Sequence, residues 1–277
     1  MRTVEFLPLR RAVPQIGLGC GALVGRESQR RSSRVIEAAL DLGIRYFDVA
    51  PSYGMGTAEE LLGDVLGTVP DVIITTKIGP PRPAYSARAD RIRRLRKPIL
   101  DRTPFLKAIA LRALGRDGTK KVEDRMQRTR YDFSESALRS SLEGSLKRLK
   151  RDRVDGFLLH EPHPADLCPE IELRMQRFVD ENLIRAFGAG VYLREDAWSK
   201  FGSIWQCGWL GADAATRGDS VARIFHGIVK QAEKTWSGAT VVPPSQLLRN
   251  AAAAAPKSLL IVSASTPRRL RDLLRDV

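Results

Sequence analysis

Four residues stand out by type and placement: Asp48, Tyr53, Lys77 and His160. A tyrosine hydroxyl is a poor proton donor near neutral pH unless something stabilises its phenolate. A lysine ammonium beside it favours the anion through opposite charge. An aspartate paired with that lysine holds it in place and offsets the cost of burying a lone cation. A neutral histidine donates a hydrogen bond to a carbonyl oxygen and orients it. Brought together, the four make a device for protonating a carbonyl as it receives hydride. Taken singly, each has a plainer role. Asp48 suits a turn or cap, Tyr53 an exposed ring, Lys77 a surface charge and His160 a hydrogen-bonded core position. Their joint placement decides between the two readings, and that depends on the elements carrying them.

Short apolar runs alternate with longer amphipathic ones, the βα pattern of a parallel sheet. Val13–Gly19 reads as the first strand, IRYFDVA (44–50) as the second, DVIITTKIG (71–79) as the third and VDGFLLH (154–160) as the fourth. Ile184–Val191, Ser203–Trp209, Val221–Val229 and Ser258–Ala264 follow as strands five to eight. Between them, Ser32 or Ser33 is placed to cap a helix that Gly43 ends. TAEELLGDVLG (57–67) reads as a helix with acidic residues in its first turn, where the dipole favours them. Ser134 or Ser136 caps SALRSSLEGSLKRLK, Pro243–Ala255 is helical, and Thr266-Pro267 opens a last helix. Eight strands in alternation predict an α/β fold of the (β/α)8 TIM-barrel type, in one domain spanning 1–277. In such a barrel, catalytic residues lie at the C-terminal strand ends. Asp48 ends strand two, Lys77 ends strand three and His160 ends strand four, so all converge on one face.

The barrel is expected to carry a basic helical insertion, residues 80–131, after strand three. It is also expected to have a reduced helix six, since only eleven residues separate Trp209 from Val221. A second glycine pattern, Gly17-Leu18-Gly19-Cys20-Gly21-Ala22, fits the G-x-G-x-x-G/A nucleotide signature after a strand. The helix begins about ten residues later, however, so no helix N-terminus would meet a pyrophosphate there.

The chain has 277 residues, 43% hydrophobic and 28% charged, enough to bury a sizeable core. The net charge of +14 is concentrated: residues 81–131 hold 16 Lys and Arg against 5 Asp and Glu. That segment is suited to phosphates, an acidic partner, membrane headgroups or plain solvation, and its place after strand three also suits a lid over the substrate. No aromatic-interleaved stretch or helix-turn-helix pattern points to nucleic acid. No apolar run reaches the length of a membrane span. Cys20, Cys168 and Cys207 show no metal or disulfide spacing, so no metal site is expected. With an N-terminal stretch unlike a signal peptide, these features predict a cytoplasmic protein.

GIRYFDVAPSYG (43–54), with Asp and Tyr five apart, resembles the signature of the aldo-keto reductase family. TTKIG (75–79) is similar to that family's strand-three lysine segment, and SLEGSLKRLKRDRVDGFLLHEP (141–162) to the helix and strand ending in its catalytic histidine. PPSQLLRNAAAAAPKSLLIVSASTPRRLRDLL (243–274) resembles its last helix, strand and adenosine-binding segment; the wording is nearest to bacterial sugar-dehydrogenase-like members. The resemblance implies NADP(H), with NAD(H) left open, and a small carbonyl or alcohol substrate. It implies that Tyr53 is the general acid/base, Lys77 paired to Asp48 tunes it, and His160 positions the carbonyl. It implies a cofactor-facing set of Gly190, Gln206, Ser263, Thr266, Arg268 and Arg269, with Arg269 on the adenosine 2′-phosphate and Gln206 on the nicotinamide carboxamide. The pattern also departs from the family. Gly190-Val191 stands where a Ser-Asn pair often holds that carboxamide, and Ser263 replaces a lysine. Phe225 or His226 is the available ring for stacking on nicotinamide. These departures leave a second reading, a barrel that binds NADP(H) with little turnover, as a redox sensor or assembly subunit.

Overall fold

The computed structural model describes residues 1–23, 29–67, 69–82, 130–191, 201–209, 222–230, 242–275 and 277. Contacts divide the chain into one unit of residues 1–82 with 131–277 and a second of 83–130. The barrel lies wholly in the first. The expected helices of the basic segment, and the shortened connection between Trp209 and Val221, fall outside the described residues.

Eight parallel strands close a barrel in sequence order. They are β3 (Ile16–Gly19), β4 (Tyr46–Asp48), β5 (Ile73–Ile78), β6 (Val154–His160), β7 (Ile184–Gly190), β8 (Ile204–Gly208), β9 (Ala222–His226) and β10 (Leu259–Val262). β10 pairs back to β3 through Leu260 opposite Ile16. The strands are largely apolar and mostly buried on both faces, as parallel strands covered by helices must be, with glycines in β3 and β7. The helices described are α1 (Gln29–Asp41), α2 (Ala58–Leu66), α3 (Glu135–Leu149), α4 (Pro169–Asp180), α5 (Pro244–Ala254) and α6 (Pro267–Leu274).

Strand alternation sorts the core into two layers. Tyr46, Ile73, Leu158, Ala186, Ile204, Ile224 and Ile261 fill the barrel interior, while Phe47, Ile74, Phe157, Phe187, Trp205 and Phe225 pack outward with apolar faces of the helices. An antiparallel hairpin, β1 (Thr3–Phe6) with β2 (Arg11–Pro14), adds Val4, Phe6 and Val13 to the interior cluster. Phe6 meets Tyr46 edge-to-face at 5.8 Å, which places the hairpin at the strand starts.

The expected first strand is therefore divided. Val13 belongs to the hairpin and Ile16–Gly19 to the barrel. Pro14 has no N–H to give a ladder. Gln15 turns inward instead, and its side-chain amide donates to the carbonyls of Ala252 at 3.2 Å and Ala255 at 2.8 Å. The first helix also starts earlier than expected. Ser32 and Ser33 lie inside α1, and the Ser33 hydroxyl donates to the Gln29 carbonyl at 3.2 Å, so neither is a cap. Gly43 does end it, at φ +84. The Ile44 N–H returns to the Ala39 carbonyl at 2.9 Å, closing a Schellman turn. Ser134 caps α3 by accepting from the Ala137 N–H.

Candidate active site

The C-terminal ends of β4, β5 and β6 bring Asp48, Lys77 and His160 to one mouth of the barrel, and the turn after β4 adds Tyr53. Asp48 and Lys77 point into the barrel because Tyr46 and Ile73 do, two and four residues before them. Both are buried, at 3% and 1% exposure. The Lys77 ammonium donates to Asp48 Oδ1 at 2.5 Å, to the Val49 carbonyl at 3.1 Å and to the Tyr53 hydroxyl at 3.3 Å. All three ammonium hydrogens thus have acceptors, as a buried cation requires. Tyr53 and His160 are only partly buried, and their rings meet edge-to-face at 5.7 Å.

The turn holding Tyr53 is held in an uncommon conformation. Gly54, Met55 and Gly56 follow one another at φ 57, 62 and 85, and Met55 carries a side chain in the left-handed region. Two contacts brace it: the Thr57 hydroxyl donates to the Gly54 carbonyl at 2.8 Å, and Arg82 Nε donates to the Gly56 carbonyl at 2.8 Å. Spacing does not signal the second brace, since Arg82 lies among the arginines that open the basic segment.

Charge and burial compete at each group. Burial works against the Lys77 charge, but Asp48 and Tyr53 outweigh it and its pKa lies above the ordinary lysine value. Burial raises the Tyr53 pKa above the usual 10 even though Lys77 lowers it. Lys77 favours the phenolate, as its charge predicts, but burial outweighs it. Asp48 raises the Tyr53 pKa further, and the phenol stays protonated at neutral pH. His160 is pushed well below 6.5 by burial, by Lys77 and by His226, so it is a neutral imidazole. Buried thiols complete the surroundings: Cys20 is driven far above its ordinary value by burial and Asp48, which leaves it inert.

Around the same mouth, Gly190 pairs with His160 on one side and Gln206 on the other. A Cβ built at Gly190 would lie 3.3 Å from Gln206 Oε1 and 3.7 Å from Lys77 Cε. Gln206 Oε1 is buried and has no hydrogen-bond partner. An orphan acceptor beside a side-chain-free strand end suits an incoming amide N–H, which is what a nicotinamide carboxamide offers. Of the two candidate rings, Phe225 is excluded, because it packs outward against Trp209 at 5.3 Å. His226 instead continues the inward row of Ala222 and Ile224, and its Nε2 lies 3.4 Å from the Val191 carbonyl.

The remaining expected positions lie at the exit of β10. The Ser263 hydroxyl donates to the Gly19 carbonyl at 3.2 Å. Thr266 caps α6 by accepting from the Arg269 N–H at 3.2 Å. Arg268 and Arg269 are exposed on that first turn, with Arg268 only 3.8 Å from Asp272 Oδ2 as a loose pair. Two exposed guanidinium groups at a helix N-terminus fit a phosphate. Among the described residues no cluster of His, Cys, Asp or Glu could hold a metal.

The chain is similar to known proteins in sequence and in fold. D-threo-aldose 1-dehydrogenase from Pseudomonas sp is 33% identical over 187 residues, covering 65% of this chain and 50% of its own length. The chain thus spans about half the length of that curated relative. A solved aldo-keto reductase from Bacillus halodurans, in its holo form, superposes with a TM-score of 0.67 at 17% identity, over 99% of this chain and 90% of its own. An aldo/keto reductase from Klebsiella pneumoniae, solved with NADP and acetate, gives 0.60 at 21% identity, over 99% and 90%. Residues 15–197, which carry Asp48, Tyr53, Lys77, His160 and the strands that position them, match the family model, and the chain belongs to the aldo/keto reductase family.

Proposed function

We propose that the protein is an NADP(H)-dependent oxidoreductase that interconverts a carbonyl and an alcohol, with Tyr53 as general acid/base. The observation that carries this is the buried Lys77 ammonium held between Asp48 Oδ1 at 2.5 Å and the Tyr53 hydroxyl at 3.3 Å. When bound, the nicotinamide supplies or accepts the hydride. Gln206 and Gly190 would hold its carboxamide, with Ser263, Thr266, Arg268 and Arg269 toward the adenosine phosphate.

Tyr53 gives its hydroxyl proton to the substrate oxygen as charge develops there, and Lys77 stabilises the phenolate left behind. Asp48 keeps Lys77 charged and fixed. His160, neutral, donates a hydrogen bond that orients the same oxygen. Substrates are aldehydes, ketones or sugars; the D-threo-aldose 1-dehydrogenase likeness favours an aldose. No described helix is long and apolar enough to cross a membrane, in keeping with a protein that works in the cytoplasm on a small molecule. We take residues 80–131 as an insertion in this single barrel domain, suited by charge to an acidic partner.

The test is NADPH oxidation and NADP+ reduction across a panel of aldehydes, ketones and aldoses, with isothermal titration of NADP(H) and NAD(H) beside it. NADP(H) is expected to bind more tightly than NAD(H), and Arg269→Ala to abolish that preference. Tight cofactor binding without hydride transfer to any member of the panel would overturn the reading in favour of a non-catalytic NADP(H)-binding barrel.

A further inference from the structure

The strand-start face of the barrel carries a second concentration of charge, independent of the residues above. A cleft of about 230 Å³ opens between the β1–β2 hairpin and the entrances to β5, β6 and β7. Its charged lining is Arg11, Asp71, Arg151, Arg153, Asp155 and Arg185, four guanidinium groups against two carboxylates. None of these lies near the C-terminal strand ends. On comparable terms a single water needs only about 10–15 Å³, so the cleft admits something much larger.

The two carboxylates are already engaged. Arg11 donates to Asp71 Oδ1 at 3.1 Å, and Arg185 Nε lies 3.3 Å from Asp155 Oδ1. Asp155 also accepts from the Ile74 N–H at 2.9 Å. Arg151 and Arg153 act on Asp155 only at longer range, and neither has a carboxylate oxygen within 4.0 Å among the described residues. Arg151 donates to the Leu66 and Val69 carbonyls at 2.8 and 3.3 Å, and its buried Nε has no partner at all. Arg153 donates once, to Asn182 Oδ1 at 3.0 Å. Three guanidinium groups, Arg151, Arg153 and Arg185, thus share the one carboxylate of Asp155, and with Arg11 paired to Asp71 the cleft keeps an excess of two positive charges, which an anion would balance.

We infer that this cleft binds a small dianionic oxyanion, inorganic phosphate or a phosphate monoester, between Arg151, Arg153 and the Arg11 and Arg185 ion pairs. The charge of such a group matches the excess of two positive charges. Its oxygens suit the paired N–H donors of guanidinium. The walls argue for a small ligand over a polyanion: a concave site with two aspartates opposes a long row of phosphates, which needs an open basic surface.

The experiment is isothermal titration of the full chain with inorganic phosphate at fixed ionic strength, with chloride as the control anion. One site is expected for phosphate and none for chloride. Arg153→Gln is expected to weaken it about tenfold, as loss of one charge-assisted contact does. Arg151→Gln should do the same, but it also removes the bonds to Leu66 and Val69. The exposed Arg153 therefore keeps the test decisive if Arg151→Gln fails to fold. An Arg268→Ala/Arg269→Ala double variant separates this site from the proposed 2′-phosphate position and should bind phosphate at the cleft unchanged. Heat no greater than that of chloride overturns the inference. So does binding that survives Arg153→Gln and vanishes in the double variant.

Discussion

At the scale of single residues, the site is a contest between burial and one ammonium group. Lys77 is buried at 1% exposure and survives as a cation because Asp48 sits 2.5 Å away. Asp48→Asn removes that partner and leaves a charge in the barrel. Breaking a buried pair costs about 3–5 kcal/mol, so a large fall in Tm is expected together with lost turnover. Tyr53→Phe changes no buried charge. It should lower kcat by about 10²–10⁴-fold while calorimetry finds NADP(H) affinity unchanged. The raised Tyr53 pKa also sets a pH pattern. The phenol remains protonated through pH 9, so carbonyl reduction should stay flat from pH 7 to 9. Alcohol oxidation needs the phenolate and should rise about tenfold per pH unit over that range. A reduction profile that falls from pH 7 would contradict this. His160 adds an acid-side effect. Its folded pKa lies below the ordinary 6.5, so its stabilising contribution is present above 6.5 and is lost as pH falls toward the folded value. The Tm of His160→Asn should therefore depend less on pH below 6.5 than that of the parent.

The elements hold these residues through contacts that the periodicity does not announce. Glu59 and Glu60 look like ordinary first-turn acids favoured by the helix dipole, yet Glu59 is buried at 1%. It accepts from the Thr76 hydroxyl at 2.6 Å and from Arg148 Nε at 2.7 Å, tying α2 and α3 to β5 beside Lys77. The same pair of helices meets at Gly63, where an added Cβ would lie 2.2 Å from the Arg148 carbonyl. Gly63→Ala must push α2 off α3, at about 1–3 kcal/mol as overpacking does. Gly43 makes the contrast. At φ +84 it has open space around it, so Gly43→Ala suffers only the left-handed backbone penalty, and Gly43→Asn should recover much of the loss. Chemical denaturation of the three variants separates the causes: no larger side chain rescues position 63, while asparagine helps position 43.

For the whole molecule, all eight strands belong to the unit of residues 1–82 and 131–277. A ring that closes through β10 and β3 leaves no strand edge waiting for another partner. A chain with residues 83–130 replaced by a flexible linker is therefore expected to fold cooperatively and keep its NADP(H) affinity. Loss of cooperative unfolding in that chain would show that the basic segment is required by the barrel. The strand-start face has its own ends to serve, since the hairpin that packs under Tyr46 also supplies Arg11 to the proposed anion cleft.

The sequence alone determined the fold class and pointed to the four residues proposed for the site, because strand order and a place at a strand end follow from local rules. Alternating apolar runs define strands, and a polar residue at the end of a buried strand is placed at the barrel mouth by the pleat. Tertiary structure decided what depends on distant neighbours. It split the first strand at Pro14 and Gln15, because Gln15 finds its acceptors 237 and 240 residues away. It turned Phe225 outward and His226 inward, and buried Glu59, one of the two first-turn acids of α2. It also set the direction of the Tyr53 shift, since burial and the Asp48 charge together outweigh the ammonium of Lys77. Spacing places a residue on a strand; only packing sets how much water it loses and which charge it meets.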